Sequence, residues 1–203
     1  MNLDDELDKL LNIKTSGRDD SMSNFENFPY EATPYSVLQI LASSGYITKR
    51  DRIVDFGCGK GRVDFFLAYS CKANMIGVEY DLRLYNSALN NYRNCKYSSK
   101  VEFVHANASD YVIDDSITGA YFFNPFSYCI LVKVLESFKE SKKRNDRCIY
   151  LYFYYPSREY LAVLNDDKNF THIENLDCTH LFGNDSKEYI AIYKLWFKSF
   201  TLA

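Results

Sequence analysis

No part of this chain approaches the roughly 20 consecutive apolar residues that a membrane-spanning helix needs. Its first residues, Met1-Asn2-Leu3-Asp4-Asp5-Glu6, lack the positive start and apolar centre of a secretory leader. The expected location is the cytoplasm, with no membrane partner. No CxxC pair occurs. Cys58, Cys71, Cys95, Cys129, Cys148 and Cys178 are widely spread, and His105, His172 and His180 share no ligand spacing, so neither a metal site nor a disulfide framework is signalled. Positive charge is not in excess: a formal net charge of -3 creates no chain-wide field that would gather nucleic acid regardless of its sequence. What is present is ordinary for a globular protein, with 47% hydrophobic and 25% charged residues, apart from a high 17% of aromatics. A chain of 203 residues suffices for one α/β domain burying about 70% of its unfolded surface.

Leu3, Leu7, Leu10 and Leu11 recur at helical spacing among acids, which predicts a short amphipathic helix docked on the body. Residues 14–24 are polar and irregular and read as a linker, so residues 1–24 form an N-terminal appendage and 25–203 the folded domain. Thr33 is expected to cap a helix opened by Pro34 and carrying Val37, Leu38, Ile40 and Leu41, with Gly45 beyond its end. Short β-branched or aromatic runs then alternate with helical patterns, the mark of βαβ units and a mainly parallel sheet. Strands are expected at 52–56, 74–79, 101–105, 119–123 and 148–154, and the runs 170–176 and 188–197 predict a terminal antiparallel hairpin through Gly183, Asn184 and Asp185.

The most informative stretch is Ile53-Val54-Asp55-Phe56-Gly57-Cys58-Gly59-Lys60-Gly61-Arg62, an apolar strand running into a glycine-rich turn and a helix. Gly57, Gly59 and Gly61 allow a sharp turn and close approach to a ligand, and the free N–H groups of the next helix face the same place. Downstream, Ile76-Gly77-Val78-Glu79-Tyr80 puts a carboxylate at the tip of the next strand, where Rossmann-type folds bind ribose. A dinucleotide site would want its third glycine at position 62, which is Arg62, and would not favour an acid beside the turn.

These residues resemble the class I S-adenosylmethionine-dependent methyltransferases, whose first motif is an acidic residue followed by GxGxG. The resemblance implies a single-domain Rossmann-like sheet of about seven strands, mostly parallel with an antiparallel last strand and helices on both faces. It also implies S-adenosyl-L-methionine as cofactor. Asp55 corresponds to the residue beneath the methionine amino group, and Glu79 to the ribose ligand. Asn107, in Val104-His105-Ala106-Asn107-Ala108, stands where the family usually has the acid that meets the adenine amine. The cofactor set implied is Asp55, Phe56, Gly57, Cys58, Gly59, Gly61, Glu79, Tyr80, Asn107, Ala108 and Asn124.

Phe122-Phe123-Asn124-Pro125-Phe126-Ser127 resembles the fourth motif of amino-group methyltransferases, with one proline and an aromatic one place early. It implies Asn124 as an acceptor-orienting group and Phe126 as a wall, with Tyr30 a third candidate at the reacting centre and Tyr35 and Thr33 behind it. Tyr154 and Tyr155 are expected near the cleft. The expected reaction is methyl transfer to a nitrogen in RNA, protein or a small molecule. Lys139, Lys142, Lys143, Arg144 and Arg147 form a basic cluster that reads as a solvated helix end or an RNA contact. Two rivals are a non-catalytic module that binds S-adenosylmethionine and a dinucleotide-dependent oxidoreductase.

Overall fold

Apolar runs that do not alternate make strands buried on both faces, and such strands belong in the interior of a parallel sheet. The computed structural model, which describes residues 2–17 and 30–197, places them there. β1 (Arg52–Phe56), β2 (Asn74–Glu79) and β4 (Gly119–Phe122) are central, flanked by β3 (Val101–His105) and β5 (Tyr150–Tyr154). β6 (Phe170–Asp177) and β7 (Tyr189–Leu195) complete a seven-stranded sheet of order β3-β2-β1-β4-β5-β7-β6. The first five strands are parallel, and β7 runs antiparallel between β5 and β6.

Among the described residues six α-helices accompany the sheet: α1 (Leu3–Leu11), α2 (Tyr35–Ser43), α3 (Arg62–Ser70), α4 (Leu82–Asn94), α5 (Tyr128–Arg144) and α6 (Arg158–Asp166). Apolar residues of α5 and α6 share a core with Phe56, Phe122 and Phe153, which are neighbours in register on β1, β4 and β5. Their rings stack across the strands, 5.3 Å and 4.6 Å between centroids, and fix the relative height of the three strand ends. The opposite face carries Asp55, Tyr121 and Tyr152 in the same register, under α1, α2 and α3.

The chain's first helix docks as its leucine pattern requires, with Leu11 fully buried and Asn2 capping through Asp5. Thr33 does not cap α2. Pro34 holds the cap position, and the buried Thr33 hydroxyl instead pairs with the Tyr121 hydroxyl at 3.1 Å. β4 ends one residue earlier than expected, at Phe122, because Asn124 turns the chain with φ 41°. The boundary expected at residues 24–25 and most of the linker lie outside the described residues. Among the described residues no helix is long and apolar enough to cross a membrane, and all six cysteines are free.

Candidate cofactor site

The crevice at the carboxyl ends of β1, β2 and β4 opens between the glycine loop and residues 30–33 and encloses about 970 Å³ of space open to solvent. The loop is pinned at its start, where the Gly57 and Cys58 amides donate to the Val78 carbonyl at the tip of β2. Gly57 (φ 71°) and Gly59 (φ 56°) adopt left-handed backbone, and Gly61 is the left-handed N-cap of α3. The space a Cβ would take at Gly57 is filled by Pro125, so the loop packs directly on the chain that follows β4.

Glu79 closes the other side. Its Oε2 accepts the Gly59 amide and its Oε1 the Asp81 amide, each at 2.8 Å, which leaves each oxygen a free lone pair toward the crevice. Burial raises its pKa and these amides oppose the rise. Burial works to raise Asp81 as well, but Arg83 and the helix amides prevail and hold it below its ordinary value while it caps α4. Asp55, 3% exposed, reaches the crevice floor, where burial pushes its pKa up to about 7.

Of the residues singled out in the sequence, Tyr30, Asp55, Phe56, Gly57, Cys58, Glu79, Tyr80, Ala108 and Phe126 line this one crevice. Gly59 and Gly61 shape the loop from behind. Asn107 is not in the lining, and its side-chain oxygen caps the short helix after β3 by accepting the Ser109 amide and hydroxyl. Asn124 also departs from expectation: it is not in the lining, and its Nδ2 donates to the Tyr155 carbonyl while its Oδ1 accepts the Ser157 amide, joining the ends of β4 and β5. Tyr30 presents a ring, with its hydroxyl turned away to donate to the Thr15 carbonyl at 2.6 Å. Tyr154 and Tyr155 lie outside the lining, and their hydroxyls donate to Glu188 and Asp185. The Cys58 thiol is pushed up by burial and by the surrounding acids, which keeps it unreactive.

Three features had escaped the sequence. Arg62, buried at the start of α3, ties the chain's first segment to the glycine loop: it donates to Thr15 Oγ1, the Asp4 carboxylate and the Thr33 carbonyl, and lies 4.6 Å from the Tyr35 ring centroid. Asp8 completes the joint by accepting the Thr15 amide and hydroxyl and the Tyr35 hydroxyl, each at 2.7 Å. Tyr121, Phe123 and Pro125 line the crevice beyond Asp55. Asp64, on α3, is fully buried with no hydrogen-bond donor to either oxygen. The signal for Arg62 and Asp64 was their charge within an otherwise apolar helix.

The basic cluster is paired within the protein. Lys139 meets Glu136 and Asp167, Lys142 meets Asp146, Lys143 meets Glu140, Arg144 meets Asp115, and Arg147 donates to backbone carbonyls. It precedes β5, at the end of the sheet away from the crevice.

Residues 53–144, which run from the glycine-loop strand through α5, match the family described as a methyltransferase domain. The matched stretch, just under half of the chain, takes in the glycine loop, Asp55 and Glu79. No curated protein matches the chain. Among solved structures, the domain is similar to an RNA methyltransferase from Salinibacter ruber in complex with S-adenosyl-L-homocysteine (15% identity, 83% of this chain and 95% of that one, TM-score 0.56). It is similar also to a geranyl diphosphate C-methyltransferase from Streptomyces coelicolor (14%, 80% and 79%, 0.58) and to a dimethyladenosine transferase from Plasmodium falciparum (18%, 83% and 64%, 0.54). At these identities the likeness is one of fold.

Proposed function

We propose that this methyltransferase domain binds S-adenosyl-L-methionine in the crevice and transfers its methyl to a nitrogen of a flat, weakly charged acceptor. The observation that carries the reading is Glu79, a buried carboxylate fixed by the Gly59 and Asp81 amides with a lone pair left on each oxygen for a ribose hydroxyl. Charge-assisted bonds of this kind contribute about 1.5–3 kcal/mol each. The apolar stretch Val78, Tyr80, Leu84, Ala106 and Ala108 suits adenine, and Asp55 suits the cationic amino-acid end. When bound, the donor supplies a methyl already activated on a sulfonium, whose departure leaves a neutral thioether.

The chain's own task is to bind, align and exclude water, and good alignment alone can lower the barrier by roughly 7–11 kcal/mol. Tyr30, Tyr121, Phe123, Pro125 and Phe126 form aromatic and apolar walls beyond Asp55, which fit a planar face. Among the described residues the lining contains no histidine, and a nitrogen that brings its own lone pair needs no base there. The internally paired basic cluster favours a small molecule over RNA as acceptor. The free thiols accord with a cytoplasmic location.

Calorimetric titration with S-adenosylhomocysteine and with NAD tests the cofactor, and tritiated-methyl transfer into fractionated extract, with mass analysis of the product, tests the reaction. Binding of S-adenosylhomocysteine but not NAD, and label on nitrogen in a low-mass fraction, are expected. Preference for NAD would make the protein an oxidoreductase, and binding with no transfer to any fraction would make it a non-catalytic module.

A further inference from the structure

Asp64 is a carboxyl in a place that offers it nothing. It is 0% exposed on an apolar helix, and neither oxygen meets a donor among the described residues. What it lies against is another acid, the carboxyl of Asp55 on β1. Around the pair stand Glu79 from β2, Cys58 from the glycine loop and Tyr121 from β4, whose hydroxyl is paired with Thr33. The nearest cation in sequence, Arg62, directs its guanidinium to Asp4, Asp8 and Thr15. No ion pair reaches Asp55 or Asp64 among the described residues.

Two ionised carboxylates side by side without a cation are untenable in an apolar interior. Among the described residues, the one side-chain donor open to the pair is a proton carried by one of its members. Asp64 is the member that lies deeper, while Asp55 faces the crevice. Burial, then the neighbouring Asp55, raises Asp64 well above the carboxylate range, and a bond from Asp64 moderates the rise at Asp55.

We propose that Asp64 is a protonated positioning partner of Asp55: its O–H donates to the Asp55 carboxylate, and the single negative charge of the pair is matched by the ammonium group of the methyl donor. The inference rests on the cofactor reading above. It adds that binding is coupled to a proton. With Asp55 titrating near 7, the free protein at pH 6 holds a proton on each carboxyl. When the ammonium arrives, Asp55 gives its proton to solvent, forming carboxylate and H⁺, and Asp64 keeps its own. The complex then binds one proton fewer than the free protein, so affinity falls tenfold per pH unit below the titration and is level above it.

Calorimetric titration of the full chain with S-adenosylhomocysteine, at pH 6 to 8 in buffers of different ionisation enthalpy, reads this directly. About tenfold weaker binding at pH 6 than at pH 8 is expected, with close to one proton released per ligand at pH 6. 5′-Methylthioadenosine, which has the same adenosyl group and no ammonium, should bind without slope or proton release. Asp64→Asn, which mimics the protonated acid, should keep wild-type affinity at pH 8, whereas Asp64→Leu should move the slope upward by about one pH unit by removing the donor. A structural role alone would leave the slope in place. Level affinity of the wild type from pH 6 to 8, or a tenfold loss in Asp64→Asn at pH 8, would overturn the proposal. Infrared difference spectra of the free protein supply a readout independent of any ligand: a protonated carboxyl band at pH 8 that Asp64→Asn removes is expected, and its absence from the wild type would also overturn it. Failure to bind S-adenosylhomocysteine at any pH would instead defeat the cofactor reading, and this inference with it.

Discussion

The Tyr30 ring lies directly over Gly59, so close that a Cβ added there would stand 2.0 Å from Tyr30 Cε2. The loop and the tyrosine therefore hold one another in place, and Gly59→Ala must displace the ring as well as strain a residue at φ 56°. A loss of about 2–4 kcal/mol in urea unfolding is expected from overpacking and left-handed strain together. Adding Tyr30→Ala should recover about 1–2 kcal/mol of it, a coupling that a double-mutant cycle measures. Strict additivity would show that the contact carries no energy.

Glu79→Gln replaces an acceptor-only group by one that presents N–H to one of its two backbone donors. S-adenosylhomocysteine affinity is expected to fall about 10- to 100-fold, matching one or two lost charge-assisted bonds. Calorimetry that found unchanged affinity would remove Glu79 from the cofactor site.

Arg62→Met leaves Asp8, 8% exposed, beside a methionine in place of a guanidinium. Breaking such a buried charge network costs about 3–5 kcal/mol. Hydrogen exchange should show where it is lost: amides of α1 and of residues 13–17 should lose protection before those of β1 and β4.

Asn124 and Tyr155 both adopt positive φ, at 41° and 49°, and are joined by the bond from Asn124 to the Tyr155 carbonyl. Asn124→Ala loses that bond and also suits left-handed backbone poorly, for an expected loss of about 2 kcal/mol. Asn124→Gly should lose less, since it keeps the conformation. S-adenosylhomocysteine affinity should stay within twofold in both. A sharp fall in affinity with unchanged stability would return Asn124 to the binding surface.

A buried acid with a raised pKa binds its proton in the folded state after the unfolded chain has released it. For Asp64 the folded protein thus holds more protons above about pH 4, so its contribution to stability declines as pH rises. Asp64→Asn removes this decline. Its melting temperature relative to wild type is expected to climb from pH 5 to pH 8, by the equivalent of about 1.4 kcal/mol per pH unit. A constant difference across that range would mean that Asp64 is ionised throughout.

The sheet and the glycine loop were legible because their information is local. Ile53, Val54 and Phe56 make an apolar run, broken only by Asp55, that needs two covered faces, and the glycines after it permit a turn that few other residues allow. Glu79 could be found for the same reason, at the tip of the next such run. Arg62, Asp8 and Thr15 could not, since their meeting depends on α1 folding back over the start of α3, and no spacing along the chain announces it. Asp64 shows in the sequence only as one charge among apolar residues, and its burial follows from the packing of those neighbours. Asn124 misled in the opposite sense: a motif-like segment looked like a binding group, while its amide bonds to Tyr155 and Ser157 outside the lining.

The order of the strands bears on how the chain is made. β1 to β4, with the crevice they support, are contiguous in sequence and can assemble as they leave the ribosome, at roughly 5–20 residues per second. β5 then lacks its outer neighbour and β6 has no partner, because the strand that pairs with both is β7, the last of the described strands in chain order. Until it slots in, β5 keeps an open edge and β6 an unpaired backbone, and the nascent chain is then most exposed to sticking to a neighbour.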